Sequence, residues 1–170
     1  MIESLVVTVN NKKIEIPYGT TLLQLSKQFA SDFHFPILLA TVDGTFRELS
    51  YVISKDSTIE FFDLNSRIGN RTHIAGLTFL LYVAVKSLYG ENENVIVQHS
   101  LDKGIYIETT FPINEEKVMA IESKMRQFVN MDLEIAKVSV ERVSAIHYFE
   151  NIGDLPKANI MKYNTRVLRM

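Results

Sequence analysis

Histidine and cysteine are the side chains that most often bind transition metals or carry out acid–base and nucleophilic chemistry, and this chain has four histidines and no cysteine. The absence of cysteine excludes disulfide bonds, thiolate metal sites and cysteine nucleophiles. No two of the histidines have the spacing of metal ligands. They are His34, His73, His99 and His147. The sequence therefore predicts no metal site, and an enzyme of this sequence would have to use other groups.

His73 stands near the start of the longest apolar stretch, THIAGLTFLLYVAVKSLYG at residues 72–90. This stretch has the length of a helix but lacks a polar face, so we expect a central helix covered on most sides, with Gly90 at its C′ position. Its unbroken apolar part, residues 74–85, is shorter than the roughly 20 residues that span a bilayer. His73 is then a residue of the helix start, exposed to solvent or bonded to a carbonyl group.

Composition indicates a folded, soluble protein, since 46% of the residues are hydrophobic, 22% are charged and the net charge is −2. No basic segment followed by an apolar segment marks a signal peptide, so we expect a cytoplasmic protein without a membrane partner. Residues 1–64 carry five basic and eight acidic residues, which disfavours non-specific RNA binding there. From Lys157 onward there are four basic and no acidic residues, which favours either a small phosphate-facing patch or plain solvated surface.

Residues 1–64 have the pattern of a small α+β domain. SLVVTV, NN and KKIEI are typical of a strand, a two-residue turn and a second strand. Thr21 and Gln24 predict a capping box at the start of a helix. ILLATV, ended by Asp43-Gly44, predicts a buried strand and a tight turn, and TFRELSYVI and STIEFF predict further extended segments. A hairpin, a helix and then more strands is the order of a β-grasp fold, in which one helix lies across a mixed sheet.

Residues 65–71, NSRIGNR, are polar and without periodicity, so we predict a linker there and a second α+β domain at 72–170. The long helix is followed by a predicted hairpin, VIVQHS and GIYIETTF. A helix capped by Asn114 comes next, and then a strand, LEIAKVSV, at 133–140. A last helix is expected from a Ser139 cap to near Gly153. Helices that cover an antiparallel sheet give the α+β class again.

Several of these segments resemble, in order and spacing, the N-terminal region of threonyl-tRNA synthetases. TVDGTFRELSYVISKDSTIEFF resembles the β-grasp TGS domain of that family. AVKSLYG, DKGIYIE and the segment from 121 to 161 resemble its editing domain, which is related to the second additional domain of alanyl-tRNA synthetases. The resemblance implies a TGS domain followed by an editing-like domain. It also implies that the second domain is incomplete here, because the family's later cysteine and histidine would lie beyond Met170.

The family's long helix opens with His-x-x-x-His, and the resemblance places those two histidines at Ala75 and Phe79, which cannot coordinate a metal or exchange protons. His73 lies two positions earlier, about 200° around the helix from position 75, so it cannot substitute. The family's Gly-Pro before the second strand is here Gln98-His99. The resemblance thus implies that no catalytic residue of the editing site remains.

Two positions of the family's site are retained. Tyr106 matches the first tyrosine of its Phe-Tyr-Tyr-Asp strand, and Lys157 matches a lysine of its editing pocket. These residues, with His99 as a third candidate, could bind a polar or anionic ligand. His99 could instead be an outward-facing strand residue.

A second group with this architecture comprises bacterial uridine kinase-like proteins, which carry a TGS domain and a degenerate editing domain before a P-loop kinase. We therefore expect a non-catalytic ligand-binding or regulatory module of a longer uridine kinase-like protein. Its expected partners are its own C-terminal catalytic domain, a small molecule or nucleotide, and RNA. The chain has no P-loop motif, so ATP and magnesium would belong to the absent kinase domain and no cofactor is expected in this fragment.

The alternative is an editing fragment of a threonyl-tRNA synthetase that hydrolyses mischarged aminoacyl-tRNA. A TGS module of a GTPase-type protein is a third alternative, although such proteins do not usually carry the second domain.

Overall fold

The computed structural model of the chain describes residues 4–101, 104–133, 135–136 and 138–163. Its strands are β1 (Ser4–Val9), β2 (Lys12–Pro17), β3 (Ile37–Val42), β4 (Thr45–Arg47), β5 (Ser57–Asp63), β6 (Val95–Leu101) and β7 (Gly104–Thr109). Its helices are α1 (Leu22–Ser26), α2 (Arg67–Tyr89), α3 (Glu115–Asn130), α4 (Arg142–Asn151) and α5 (Leu155–Tyr163), with a 3₁₀ turn at Ala30–Asp32. The predicted α+β class is confirmed. The chain divides into two units between Thr78 and Phe79, inside α2.

The first unit contains a five-stranded mixed sheet in the order β2-β1-β5-β3-β4, in which only β1 and β5 pair in parallel. The two-residue turns follow the sequence prediction, since Asn10 and Asn11, and likewise Asp43 and Gly44, have the positive φ angles of type I′ hairpin turns. The predicted capping box at the start of α1 is present. Leucines of α1 are buried against valines, isoleucines and phenylalanine of the sheet. One helix on a mixed sheet agrees with the β-grasp prediction, whereas its TGS identity stays a prediction.

We expect the stability of the first unit to depend on pH through the carboxyl group of Asp43. Its carboxylate accepts a 2.9 Å hydrogen bond from the backbone N–H of Thr58 and forms a 2.9 Å ion pair with Lys55, and these two interactions hold the pKa of Asp43 below its ordinary value. A lowered carboxyl pKa stabilises the fold above about pH 3.9, and this contribution is lost as the pH falls through the folded-state pKa. We expect Asp43→Asn to lose less stability than wild type between pH 6 and pH 3, measured by urea unfolding. An equal loss in both proteins would contradict this.

The long helix differs from the prediction in where it begins. α2 begins at Arg67, five residues before Thr72, so most of the predicted linker is helical. Ser66 caps it, because the Ser66 hydroxyl oxygen accepts a 3.0 Å hydrogen bond from the backbone N–H of Gly69. The polar residues 67–71 therefore form the start of a capped helix, although they carry no apolar periodicity.

The prediction that this helix is buried is wrong. Within α2 only Gly69, Ala84 and Val85 are buried, while Leu77 is 45% and Phe79 is 50% exposed. An apolar sequence creates a tendency to be covered but does not supply the covering layer. By length and composition alone, α2 is also long and apolar enough to cross a membrane. The unbroken apolar run 74–85 is too short for this, but the helix extends beyond it at both ends.

Two glycines of α2 are expected to respond to alanine with opposite signs. A Cβ at Gly69 would overlap the carbonyl oxygen of Asp63 and lie 2.8 Å from the hydroxyl oxygen of Ser66, whereas a Cβ at Gly76 would meet no atom within 4 Å. We expect Gly69→Ala to destabilise the fold by about 1–3 kcal/mol through overpacking. Gly76→Ala should stabilise it by up to about 1 kcal/mol through helix propensity. Urea unfolding followed by circular dichroism measures both, and stabilisation by Gly69→Ala would contradict the clash.

The second unit contains the antiparallel hairpin of β6 and β7, followed by three helices. The predicted cap of α3 is present, because the Asn114 side-chain oxygen accepts a 2.9 Å hydrogen bond from the backbone N–H of Lys117. The strand predicted at 133–140 is wrong for its described residues, none of which is in a strand, and Ile135 is 75% exposed. Alternating apolar residues form a strand only where a neighbouring strand pairs with them. Residues 134 and 137 of that prediction lie outside the described residues.

The last part of the chain forms two helices where one was predicted. α4 begins at Arg142 with Glu141 at its N-cap, and not after a Ser139 cap. α5 follows a turn at Gly153, and Pro156 lies in its first turn, where its missing N–H removes no helical hydrogen bond. These two helices bury a small apolar cluster, formed by Ala145, Phe149, Ala158 and Met161.

Candidate functional site

Lys157 lies in the first turn of α5, where Asp154 fixes both its backbone and its side chain. One Asp154 carboxylate oxygen accepts a 3.2 Å hydrogen bond from the Lys157 backbone N–H and so caps the helix. The other carboxylate oxygen is 3.2 Å from the Lys157 ammonium nitrogen. A single carboxylate therefore caps the helix and pairs with the lysine, which limits the positions that the ammonium group can take.

Two aromatic rings lie against the same ammonium group. The Lys157 nitrogen donates to the hydroxyl oxygen of Tyr82 over 3.4 Å and is 5.1 Å from the centre of the Tyr82 ring. It is also 5.1 Å from the centre of the Phe149 ring on α4. Tyr82 stands on α2 one turn before Lys86, whose ammonium nitrogen is 5.4 Å from the centre of the same tyrosine ring. α2, α4 and α5 thus bring an ion pair, two rings and a second lysine together within the second unit.

The pKa of Lys157 is raised above its ordinary value. Partial burial acts in the opposite direction and disfavours the charged form, but the hydrogen bond to Asp154 and the interactions with Tyr82 outweigh it. Lys157 is therefore protonated at neutral pH. A protonated lysine cannot act as a general base, but it can bind an anion or stabilise negative charge that develops during a reaction.

A cavity of about 120 Å³ adjoins this cluster. It is lined by both charged and amide-bearing side chains and by the turn between α4 and α5. The lining residues are Lys86, Glu91, Asn92, Asn94, Ile152, Gly153, Asp154 and Pro156. The cavity is open to solvent and has room for water molecules or for one small polar group.

The other predicted ligand-binding residues lie on the hairpin. Tyr106 of β7 is 44% exposed and is opposite His99 of β6 in the strand register. The side chain of His99 lies outside the described part of the structure. Lys157 contacts Tyr82, Asp154 and Phe149. A joint site of Lys157, Tyr106 and His99 stays a prediction.

The positions implied for the lost histidines are on the exposed part of α2. Ala75 and His73 are exposed, and Phe79 is 50% exposed. Within the described residues, no three His, Cys, Asp or Glu side chains are grouped so that they could hold a metal ion. The carboxylate next to Lys157 belongs to Asp154. Its two oxygens already contact the backbone N–H and the ammonium group of Lys157.

Sequence reasoning proposed Lys157 as a ligand-binding residue, which stays a prediction, and it did not predict the contacts around this residue. Tyr82 and Lys86 were treated as part of a buried helix, and α5 was not predicted at all. Their signals were present: Tyr82 and Lys86 are four residues apart, which places them on one helical face. Asp154 precedes Leu155-Pro156, which is a capping residue before a proline of a first helical turn.

Comparison with known proteins finds no matching family model. The chain is similar to threonine–tRNA ligases over about nine tenths of its length. The ligase of Wigglesworthia glossinidia brevipalpis is 24% identical over 94% of the chain, and that of Clostridium kluyveri is 26% identical over 91%. The ligase of Acidithiobacillus ferrooxidans is 29% identical over 88%. The chain spans about a quarter of the length of these relatives, since the matches cover 25%, 26% and 24% of them.

Proposed function

We propose that the chain is an editing-type module that binds the aminoacylated end of tRNA and hydrolyses mischarged aminoacyl-tRNA. The observation that carries this proposal is the ammonium group of Lys157, held by Asp154 and Tyr82 beside a polar cavity. The similarity to threonine–tRNA ligases supports this reading over the kinase-associated one, because the relatives are ligases that act on tRNA by name.

Lys157 can contribute to hydrolysis by stabilising negative charge electrostatically. Ester hydrolysis develops negative charge on the carbonyl oxygen, and a fixed ammonium group near that oxygen lowers the barrier without having to reorganise. Asp154 and Tyr82 would hold the ammonium group in place, since both contact it directly. One such donor contributes a factor of about 10² to 10³ in rate.

The rate should nevertheless fall well below that of a complete hydrolytic site. The positions implied for the two histidines hold Ala75 and Phe79, and neither can take a proton from water. General-base assistance would contribute a further factor of about 10² to 10⁴. We therefore expect a slow hydrolase in which solvent accepts the proton.

The second candidate is a ligand-binding or regulatory module without hydrolytic activity, fused before a uridine kinase-like catalytic domain. Ala75 and Phe79 favour it, because they remove the means of activating water. In that protein Lys157 would bind the ligand that the module senses. A cytoplasmic location is part of either proposal.

Deacylation of seryl-tRNA specific for threonine separates the two candidates. The intact chain is incubated with this substrate, and the release of serine is compared with the uncatalysed rate in the same buffer. Hydrolysis about 10² to 10³ times the uncatalysed rate is expected for the editing module. A rate equal to the uncatalysed one, together with measurable binding of tRNA, would overturn the hydrolytic proposal and favour the regulatory one.

A further inference from the structure

The ammonium groups of Lys86 and Lys157 lie near the same ring, that of Tyr82, and among the described residues the one of Lys86 forms no ion pair. The ammonium nitrogens of Lys86 and Lys157 are 5.4 Å and 5.1 Å from the centre of the Tyr82 ring. Lys157 is paired with Asp154, but the hydrogen-bond partner described for Lys86 is the backbone carbonyl oxygen of Glu91. In the part of the chain that the structure describes, the charge of Lys86 is thus not matched by an ion pair.

The cavity beside Lys86 offers the other groups that an oxyanion needs. Asn92 and Asn94 line it, and an asparagine amide carries two N–H donors. The Asn94 amide nitrogen lies 3.5 Å from the carbonyl oxygen of Asn92, which leaves its second N–H for a ligand. Asp154 also lines the cavity, but both of its oxygens already accept from Lys157. Glu91 lines the cavity too, but it is exposed, so its carboxylate can remain in water while its carbonyl oxygen stays bonded to Lys86.

We propose that Lys86, Asn92 and Asn94 form a phosphate-binding subsite next to Lys157. The inference rests on the proposed function, in which an aminoacylated RNA end lies at Lys157, and it adds that a phosphate of this ligand occupies the cavity. A tetrahedral phosphate has several acceptor oxygens, which suit one ammonium group and two amides at once. The same chemistry would accept the phosphodiester of an RNA end or the phosphate of a mononucleotide.

The test measures binding of three probes to the full chain: a short RNA with the 3′-terminal sequence of tRNA, adenosine monophosphate, and adenosine. We expect Lys86→Gln to weaken RNA binding about tenfold at low salt, because the charge-assisted hydrogen bond from the ammonium group to the phosphate is lost. The slope of log K against log salt concentration should fall in magnitude by about 0.7, the value for one phosphate of a single strand. Adenosine has no phosphate, and its affinity should not change. An equal loss for adenosine monophosphate would show that the site also accepts a phosphate monoester, and a loss for RNA alone assigns it to a phosphodiester.

Lys124 provides a matched control. Its ammonium group donates to the neutral side-chain oxygen of Gln127 and lies 5.0 Å from the centre of the Phe128 ring. Lys86 likewise donates to a neutral oxygen and lies near an aromatic ring. Unlike Lys86, however, Lys124 does not line the cavity. Lys124→Gln should leave binding and the salt slope unchanged, and Lys86→Arg should retain both because it keeps the charge. The proposal is overturned if Lys86→Gln and Lys124→Gln behave alike, or if adenosine binding falls as much as RNA binding.

The deacylation assay distinguishes failure of this subsite from failure of the proposed function. If seryl-tRNA is hydrolysed through Lys157 but Lys86→Gln binds RNA like wild type, the phosphate subsite is wrong and the editing function stands. If RNA binding depends on Lys86 but seryl-tRNA is not hydrolysed, the subsite stands and the hydrolytic function is wrong.

Discussion

Replacement of Lys157 by alanine is expected to return the hydrolysis of seryl-tRNA to the uncatalysed rate, a loss of about 10² to 10³-fold. The reason is that the Lys157 ammonium group is the positive charge that Asp154 and Tyr82 hold in place. Because its pKa is raised, the group stays charged throughout the neutral range, so its contribution should not titrate there. Release of serine from seryl-tRNA specific for threonine measures the effect.

Lys162 provides the control for this substitution. It lies on the same helix, its side chain is 44% exposed against 45% for Lys157, and it also pairs with a carboxylate, that of Glu150 at 2.6 Å. Lys162→Ala therefore removes a lysine of equal exposure and similar pairing without touching Tyr82. If the two variants lose activity equally, the effect is one of helix stability or net charge, and Lys157 has no special role.

Lys157 also shows how much of the candidate site can be predicted from the sequence. The resemblance to a family motif selects one residue, but it does not give the contacts that hold this residue. Asp154 acts through a helix cap and Tyr82 through a packing contact across 75 positions of the chain. Contacts over such separations depend on how helices pack, and a local pattern of residue types does not contain that information.

Local rules succeeded where the interaction itself is local. The turns at Asn10-Asn11 and at Asp43-Gly44 and the capping box at Thr21 depend on residues within four positions of one another, and all three are present. The burial of α2 and the strand at 133–140 depended on a partner layer or a partner strand, and both predictions were wrong. The apolar pattern is the same whether or not such a partner is there.

Substitution of Leu25 by alanine is expected to destabilise the first unit strongly. Leu25 is fully buried in α1 and belongs to the apolar cluster between this helix and the sheet. Removing a buried leucine leaves a cavity and costs about 2–5 kcal/mol. α1 has five residues, too few to be stable alone, so it is held by this packing and by its capping box.

Leu23 on the same helix separates packing from helix propensity. It is 49% exposed, and Leu23→Ala makes the same chemical change two positions away. We expect Leu23→Ala to change the free energy of unfolding by no more than about 0.5 kcal/mol, as for most surface positions. Urea unfolding followed by circular dichroism compares the two variants with wild type. Equal shifts would mean that α1 does not pack on the sheet through Leu25, whereas a loss confined to Leu25→Ala would show that this helix owes its place to the core.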